Sequence, residues 1–461
     1  MKYLIYTYGC QMNYSDTERM KTYLEAIGYE PAKSESEADM ILFNTCSIRQ
    51  KGEDRVLGKL SEMPRLRKKN KKLIVVITGC MIRKSSSRYS MKRDKLFNRT
   101  RELDIALRIE ELPKLAGLVK ELNPKIKLKP IKEESLEDYF KINPSYTSKA
   151  QAFIPISTGC DKFCTYCIVP FSRGREKSRS VPDILKECEE FVMQGGKEIT
   201  LLGQTVDSYG LSQYDKQEGT FSHLPNGKTP FVYLLEQIDK LSEKGLKRLR
   251  FTSSHPKDIS DDLIKAIGKL KTLMPYLHLP VQAGSNTLLK RMNRPYTIEK
   301  YLETIKKLRK TVKGIAISTD FIVGFCGETE KEFKSTHDLF EKVEFDFAYF
   351  AKYSERRGTF ASKNLKDDVP ERIKSQRWHA INELLKKVVA KKLKKFIGKT
   401  VQVMVEFEKQ GYLHGHDEHY KEVQFKGSKK LIGEIVPVKI ERADKWVLIG
   451  NRVLKKPSTV R

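Results

Sequence analysis

The sequence predicts an α/β protein in three parts: an N-terminal open parallel sheet with helices, a central incomplete (β/α)6 barrel and a C-terminal small β-barrel. Three observations carry that expectation. Apolar strand-like runs alternate with amphipathic helical stretches over residues 1–122 and again over 151–371. An aperiodic mixture of Pro, Lys and acids separates the two at 123–150. Beyond a basic helix at 372–396, residues 397–461 break into short, closely spaced β-type runs. Alternating strand and helix periods indicate parallel sheets, and short strands in close succession indicate a small barrel.

The first part reads as strand "KYLIYTYG", helix 15–27, strand "MILFNT", helix 52–62, strand "LIVVITG", a basic stretch and a final apolar "LDIALR". Residues 123–150 suit a linker better than a core element. Strands then follow at "AFIPIS", "EITLLG", "RLRFTSS", "YLHLPVQ", "AISTDFIVGF" and "FDFAYFAKY", with a polar, Gly-containing insertion at 207–229 after the second. The final segment offers "TVQVMVEF", "EVQFKG", "LIGEIVPVKI" and "WVLIGN", a pattern that suits an RNA-binding β-barrel.

Composition narrows the function. The 461 residues allow about three domains. Apolar runs such as "LIVVI" reach strand length only, so no membrane span is expected. The start "MKYLIYTYGCQMN" turns polar too soon for a signal peptide, which predicts a cytoplasmic chain with reduced thiols. Lys and Arg total 88 against 59 acids, a net charge of +29 that favours a nucleic-acid partner, although the same excess would serve solubility alone.

Six of the eight cysteines are clustered or repeat a position. Cys160, Cys164 and Cys167 form a C-x3-C-x2-C loop after the first barrel strand. A structural zinc site needs four protein ligands and a catalytic one usually three plus water. An iron–sulfur cluster held by three thiolates leaves one iron open for a substrate or cofactor, and the carboxyl face of such a barrel is where active sites lie. The open-iron cluster is the favoured reading, with zinc as the alternative. Cys10, Cys46 and Cys80 each stand directly after a predicted strand of the first sheet. Carboxyl ends of parallel strands face one crevice, so the fold would gather these three thiols as well. Cys188 reads as core and Cys326 as a bystander.

The C-x3-C-x2-C spacing with Tyr166 before its last cysteine resembles the radical S-adenosylmethionine (SAM) superfamily. "YGCQMNYSDTERM", "FNTCSIRQKGEDRV", "TGCM", "GCDKFCTYCIVPFSRGREKSR", "RFTSSHPK", "HLPVQAGSN" and "STDFIVGF" together resemble tRNA methylthiotransferases of the MiaB type, in order over most of residues 1–360. That resemblance implies two [4Fe–4S] clusters, one on Cys160, Cys164 and Cys167 and one on Cys10, Cys46 and Cys80. It implies SAM bound at the barrel cluster, near Tyr166, Gly203, Gln204, Ser253, Gln282 and Asp320, with His255 as a further pocket candidate. It implies methylthiolation at C2 of N6-isopentenyladenosine in the tRNA anticodon stem-loop, an electron donor such as flavodoxin or ferredoxin, a sulfur source, and a TRAM-like C-terminal domain. Arg173 and Arg175, beside the cluster loop, are the expected RNA contacts. Methylthiolation of a threonylcarbamoyl-adenosine and a non-catalytic iron–sulfur RNA-binding protein stay open as alternatives. The sequence departs from the family pattern at Cys326, at Thr205, in "SERRGTFAS" (354–362), in "LDIALRIEEL" and in the strongly basic stretch 83–101.

Overall fold

The computed structural model describes residues 1–47, 50–222, 224 and 228–454. Ile48 and Arg49 of the "NTCSIR" motif, part of the 207–229 insertion and the end of the 397–461 segment lie outside the described residues.

The N-terminal sheet has the strand order 30–31, 2–8, 40–45, 74–79, 105–107, 86–87. Every pairing is parallel except the last, where Ser86 and Ser87 run antiparallel to the edge. That two-residue strand arises from the basic stretch, where no strand was expected. Met40–Thr45 and Ile74–Gly79 are buried along their whole length, as central parallel strands covered on both faces must be. In register, Tyr8 pairs with Thr45 and Thr45 with Gly79, so three strands end at one level.

The 123–150 stretch differs from the expected connector. It buries Leu136, Tyr139 and Ile142 in the N-terminal core beside Tyr23 and Leu24. Its backbone is tied to the first helix, with Ser145 N donating to Glu18 O at 3.2 Å and Thr147 N to Glu18 Oε1 at 2.7 Å. The three apolar residues recur every third position along a charged segment, on two short 3-10 turns at Glu134–Glu137 and Tyr139–Lys141, a period that predicts neither a strand nor an α-helix.

The central part forms two parallel three-stranded arcs, 248–251/198–202/151–155 and 276–278/316–323/347–352. A bridge between Leu249 and Leu273 joins them. The barrel is thus incomplete, and helix Glu371–Lys394 lies along its edge strand Phe347–Lys352, where Trp378 Nε1 donates to Phe350 O at 2.9 Å. Covering an edge in this way removes a template for aggregation.

The C-terminal segment closes a five-stranded barrel. Its strand Tyr412–His416 was not expected, because "YLHGH" carries only one strongly apolar residue and a glycine. The barrel is bolted to the central part by two buried arginines. Arg248 donates to His416 O at 2.9 Å and Gln402 O at 2.6 Å; Arg250 donates to Asp417 O at 2.7 Å and Glu418 O at 3.1 Å. Glu198 balances both cations, at 3.6 and 3.3 Å. Among the described residues no helix is long and apolar enough to cross a membrane.

Removing Arg250 leaves two carbonyls without their donor and Glu198 with one of its two cations, at a cost of about 1–3 kcal/mol per unsatisfied buried group. Arg250→Met is therefore expected to loosen the C-terminal barrel selectively. Hydrogen exchange would show residues 400–452 exchanging faster while the N-terminal sheet keeps its protection.

Candidate active site

The first thiol set is assembled by a ladder of asparagines. Cys10 caps helix Gln11–Ala26, and Asn13 Oδ1 accepts from the Cys10 backbone N–H at 3.1 Å and from its thiol at 3.4 Å. Asn13 Nδ2 donates to Asn44 Oδ1 at 2.8 Å and to Thr45 O at 3.2 Å, while Asn44 Nδ2 returns a bond to Asn13 O at 2.7 Å. The Cys46 N–H donates to Tyr8 O at 3.0 Å and that of Cys80 to Thr45 O at 2.9 Å, so both cysteines extend the sheet by one rung. Gly79 has φ +92°, and a Cβ there would stand 2.2 Å from Thr45 O. The consequence is that the Cys46 sulfur lies in hydrogen-bond reach of both Cys10 and Cys80.

These contacts decide the protonation. Hydrogen bonds to its two neighbours hold the Cys46 proton in place and push that thiol well up. The bond from Cys46 brings Cys10 down to about 7, and Cys46 together with the Arg173 guanidinium brings Cys80 down to about 6. Thiolates are the form that binds metal.

The second set sits in the loop after strand Gln151–Pro155, which folds back on itself by pairing Ser157 and Thr158 with Ser178 and Lys177. Gly159, at φ +76°, lets the chain pass so close that a Cβ would meet Arg175 O at 2.0 Å. Cys160 N donates to Gly174 O at 3.1 Å and Cys167 N to Cys164 O at 2.9 Å. Thr205, one of the departures from the family pattern, places its Oγ1 3.6 Å from Cys160 Sγ. Burial pushes Cys160 up to about 11. Cys167 is raised by burial and then by the charges of Cys164, Cys160 and Cys80, which puts the two thiol sets within electrostatic reach of each other across the domain junction.

One site residue carries no sequence signal of its own. Arg294 donates to Cys164 Sγ at 3.4 Å and is held there by Pro280 O at 2.9 Å and the Tyr296 hydroxyl at 2.9 Å. It lies far along the chain, in "RMNRPY", where nothing distinguishes it from other arginines.

Among the described residues no three His, Cys, Asp or Glu side chains close around a single ion. A cubane asks for a different arrangement, because its three thiolates bind three separate irons. Two all-thiol donor sets fit that soft chemistry.

Of the residues expected around SAM, Gly203, Gln204, Ser253 and Gln282 follow barrel strands, whereas Asp320 lies within one. Tyr166 is half-buried, edge-on to Phe325 at 6.3 Å. A side chain at Gly203 would stand 2.7 Å from Ser157 Oγ. Gln204 Oε1, Ser157 Oγ and Ser254 Oγ are buried without a partner among the described residues. Ser253, at φ +67°, donates its N–H to His278 Nδ1 at 3.3 Å, and His278 Nε2 faces Asp320 Oδ1 at 3.3 Å. Asp320 falls inside strand Ala316–Val323, and its carbonyl accepts from the N–H of Gln282 at 2.9 Å. Buried His255 is pushed down to about 2 by desolvation and by Arg294, so it is a neutral imidazole. Asp207, from the insertion, fixes the His255 backbone at 2.8 Å, and His255 Nε2 is another buried atom without a partner. Such a row of unpaired polar atoms fits a zwitterionic cofactor, since buried polar groups otherwise find partners.

The two arginines expected at RNA part company. Arg175 is exposed, paired with Asp161 at 2.6 Å and lying over the Phe163 ring at 5.4 Å. Arg173 is no surface cation. It is buried, with Asp16 at 2.6 Å and Glu110 at 3.5 Å, both on the N-terminal side of the junction. The dense charge of "RGREKSR" hides this, because sequence does not say which side of a loop faces a neighbouring domain. Cys188 and Cys326 are buried in apolar clusters, the latter in one against which Tyr166 also packs.

Beside the first set lies a cavity of about 390 Å³, lined by Cys80 and by Ile168, the residue after Cys167 of the second. A larger groove, about 490 Å³, runs along helix Glu330–Val343 and touches no cysteine.

Comparison with known proteins agrees with this construction. Residues 154–340 match the Radical SAM superfamily, 2–101 match Uncharacterized protein family UPF0004 and 394–453 match the TRAM domain. The tRNA-2-methylthio-N(6)-dimethylallyladenosine synthase of Thermoanaerobacter pseudethanolicus is 43% identical over 405 residues, covering 88% of this chain and 82% of that protein. The chain belongs to this synthase family. The family's member from Protochlamydia amoebophila is 42% identical over 408 residues, 88% of this chain and 85% of that one. Among solved structures, the radical SAM methyltransferase TsrM of Kitasatospora setae shares the fold at a TM-score of 0.51 and 13% identity, covering 76% of this chain and 72% of that one.

Arg173 gives this synthase family member a measurable signature. In metal-free protein, Arg173→Met removes the cation that lowers Cys80. The pH midpoint for alkylation of Cys80, followed by mass spectrometry, is expected to rise from about 6, and Arg173→Lys to retain part of the effect.

Proposed function

We propose that this chain adds a methylthio group to C2 of N6-isopentenyladenosine at position 37 of tRNA, with two [4Fe–4S] clusters and SAM. The observation that carries the reading is two three-thiol sets on neighbouring domains, with a cavity lined by Cys80 of one and by Ile168 beside the other, in a chain 43% identical to a synthase named for that product. C2 of adenine bears an unactivated C–H bond, and SAM bound at an open cluster iron supplies the radical chemistry that abstracts such a hydrogen.

Each remaining task falls to residues of the chain. Cys160, Cys164 and Cys167 would hold one cluster, with Arg294 orienting Cys164. Cys10, Cys46 and Cys80 would hold the other, with Asn13 and Asn44 fixing their spacing. Gln204, Ser157 and Ser254 present unpaired polar atoms to the methionine part of SAM, and Tyr166 an aromatic face to its adenine. The cavity at Cys80 and Ile168 accepts the target base once it leaves its stack. The domain division at 1–122, 151–371 and 397–461, joined by 123–150 and 372–396, assigns sulfur, radical and RNA binding to separate units. The reaction draws on an electron donor such as flavodoxin or ferredoxin and a sulfur source, in the cytoplasm, where thiols stay reduced.

Two measurements test the reading. In cells lacking the protein, the methylthio-isopentenyl nucleoside is expected to vanish from tRNA hydrolysates and to return on complementation; a change in a threonylcarbamoyl nucleoside instead would contradict the substrate assignment. In reconstituted protein, Cys46→Ala should lower iron from about eight to about four per chain and still release 5′-deoxyadenosine, whereas Cys164→Ala should release none.

A further inference from the structure

The cavity beside Cys80 has a wall that the chemistry above does not use. Besides Cys80, Met81 and Ile168 it is lined by Arg83, Arg99, Arg356 and Arg357, with Glu53, Glu355 and Ser47. The four arginines come from two of the stretches in which the sequence departs from its family pattern, 83–101 and 354–362. These stretches belong to opposite sides of the domain junction, one to the N-terminal sheet and one to the segment after the last barrel strand.

Not all of this charge is balanced. Arg356 faces Glu53 at 3.7 Å, and Glu53 is also bonded to Ser47. Arg83 donates to the carbonyl of Arg357 and so ties the two sides together, with Gly358 at φ +90° leaving space for its guanidinium. Arg99 and Arg357 are exposed, and neither side chain makes a hydrogen bond or ion pair to a described residue. Setting Glu53 against Arg356, three guanidinium groups face the single carboxylate of Glu355. Like charges gathered around one cavity repel unless an anion joins them, and guanidinium is the group best shaped for phosphate oxygens.

Resting on the tRNA reading above, we propose that Arg83, Arg99 and Arg357 form a clamp for the RNA phosphodiesters flanking the target nucleotide, gripping the backbone from both domains while the base enters beside Cys80 and Ile168. A flipped nucleotide needs its backbone held at the mouth of the pocket, and phosphate contacts position without reading sequence. The clamp requires both sides of the junction, so RNA engagement also presses the two thiol sets toward one substrate.

The test is binding of an anticodon stem-loop RNA carrying N6-isopentenyladenosine at position 37, measured by fluorescence anisotropy across a salt series with the reconstituted full chain. For a single-stranded loop, each lost phosphate contact is expected to reduce the slope of log K against log salt by about 0.7. Arg99→Gln/Arg357→Gln should therefore lower the slope by about 1.4, with binding weakened roughly tenfold or more at moderate salt. In a second arm the unmodified protein meets RNA with neutral methylphosphonates at the two phosphates flanking nucleotide 37. It should lose the same increment of slope, and the double variant should show no further loss on that RNA. An unchanged slope in the variant, or an equal methylphosphonate penalty in variant and parent, overturns the clamp. A variant that weakens SAM instead of RNA also overturns it, by assigning the cavity to the SAM carboxylate. Methylthiolation of the same stem-loop by the parent protein separates the two levels: with turnover intact and the slope unmoved, only the clamp fails, whereas absence of both binding and turnover removes the tRNA reading itself.

Discussion

Strand register is the constraint on which this protein depends. In a parallel sheet neighbouring strands point the same way, and the pairing of Tyr8 with Thr45 and Thr45 with Gly79 brings three strand ends to one level. A slip of one residue in any of them would turn the following cysteine to the other face. The Asn13–Asn44 ladder resists that slip from the side of the first helix, and Gly79 allows the close approach that a larger residue would prevent. Three thiols from distant parts of the chain thus come together through backbone geometry, without a local motif such as the barrel loop uses.

The second requirement is electrostatic. Hydrogen bonds hold Cys46 protonated and burial holds Cys160 and Cys167 so, while buried cations favour the thiolate form at Cys80 and stand beside Cys164. Arg173 crosses the junction to Asp16, Glu110 and Cys80, while Arg294 meets Cys164 from the far side of the barrel. A buried cation with two carboxylates costs much to desolvate, and its return is fixed geometry rather than net stability. The same group therefore links the junction and sets the charge state of the first thiol set.

Much of this was legible in the sequence. Alternating strand and helix patterns expose the three parts, since period and length survive in residue order. The two cysteine triads are visible, one by spacing and one by position after strands. Arg294 and the inward turn of Arg173 were not, because both depend on which surfaces meet in three dimensions. The docking of 123–150 escaped for another reason: Leu136, Tyr139 and Ile142 anchor it through two short 3-10 turns, whose period of three matches neither a strand nor an α-helix. Strand Tyr412–His416 escaped because three of its five residues are only partly buried and a fourth is a glycine that needs close backbone contact, a Cβ there lying 1.8 Å from Met404 O.

The bolts through Arg248 and Arg250 have a mechanical consequence. A module on a loose tether samples many separations from its neighbour, and its contribution to affinity is diluted by that freedom. Here the small barrel is pinned by four side-chain-to-carbonyl bonds, so the span from its surface to the thiols is a constant of the molecule. The protein acts as a caliper: whatever polymer it grasps at one jaw is sampled at a set offset by the other.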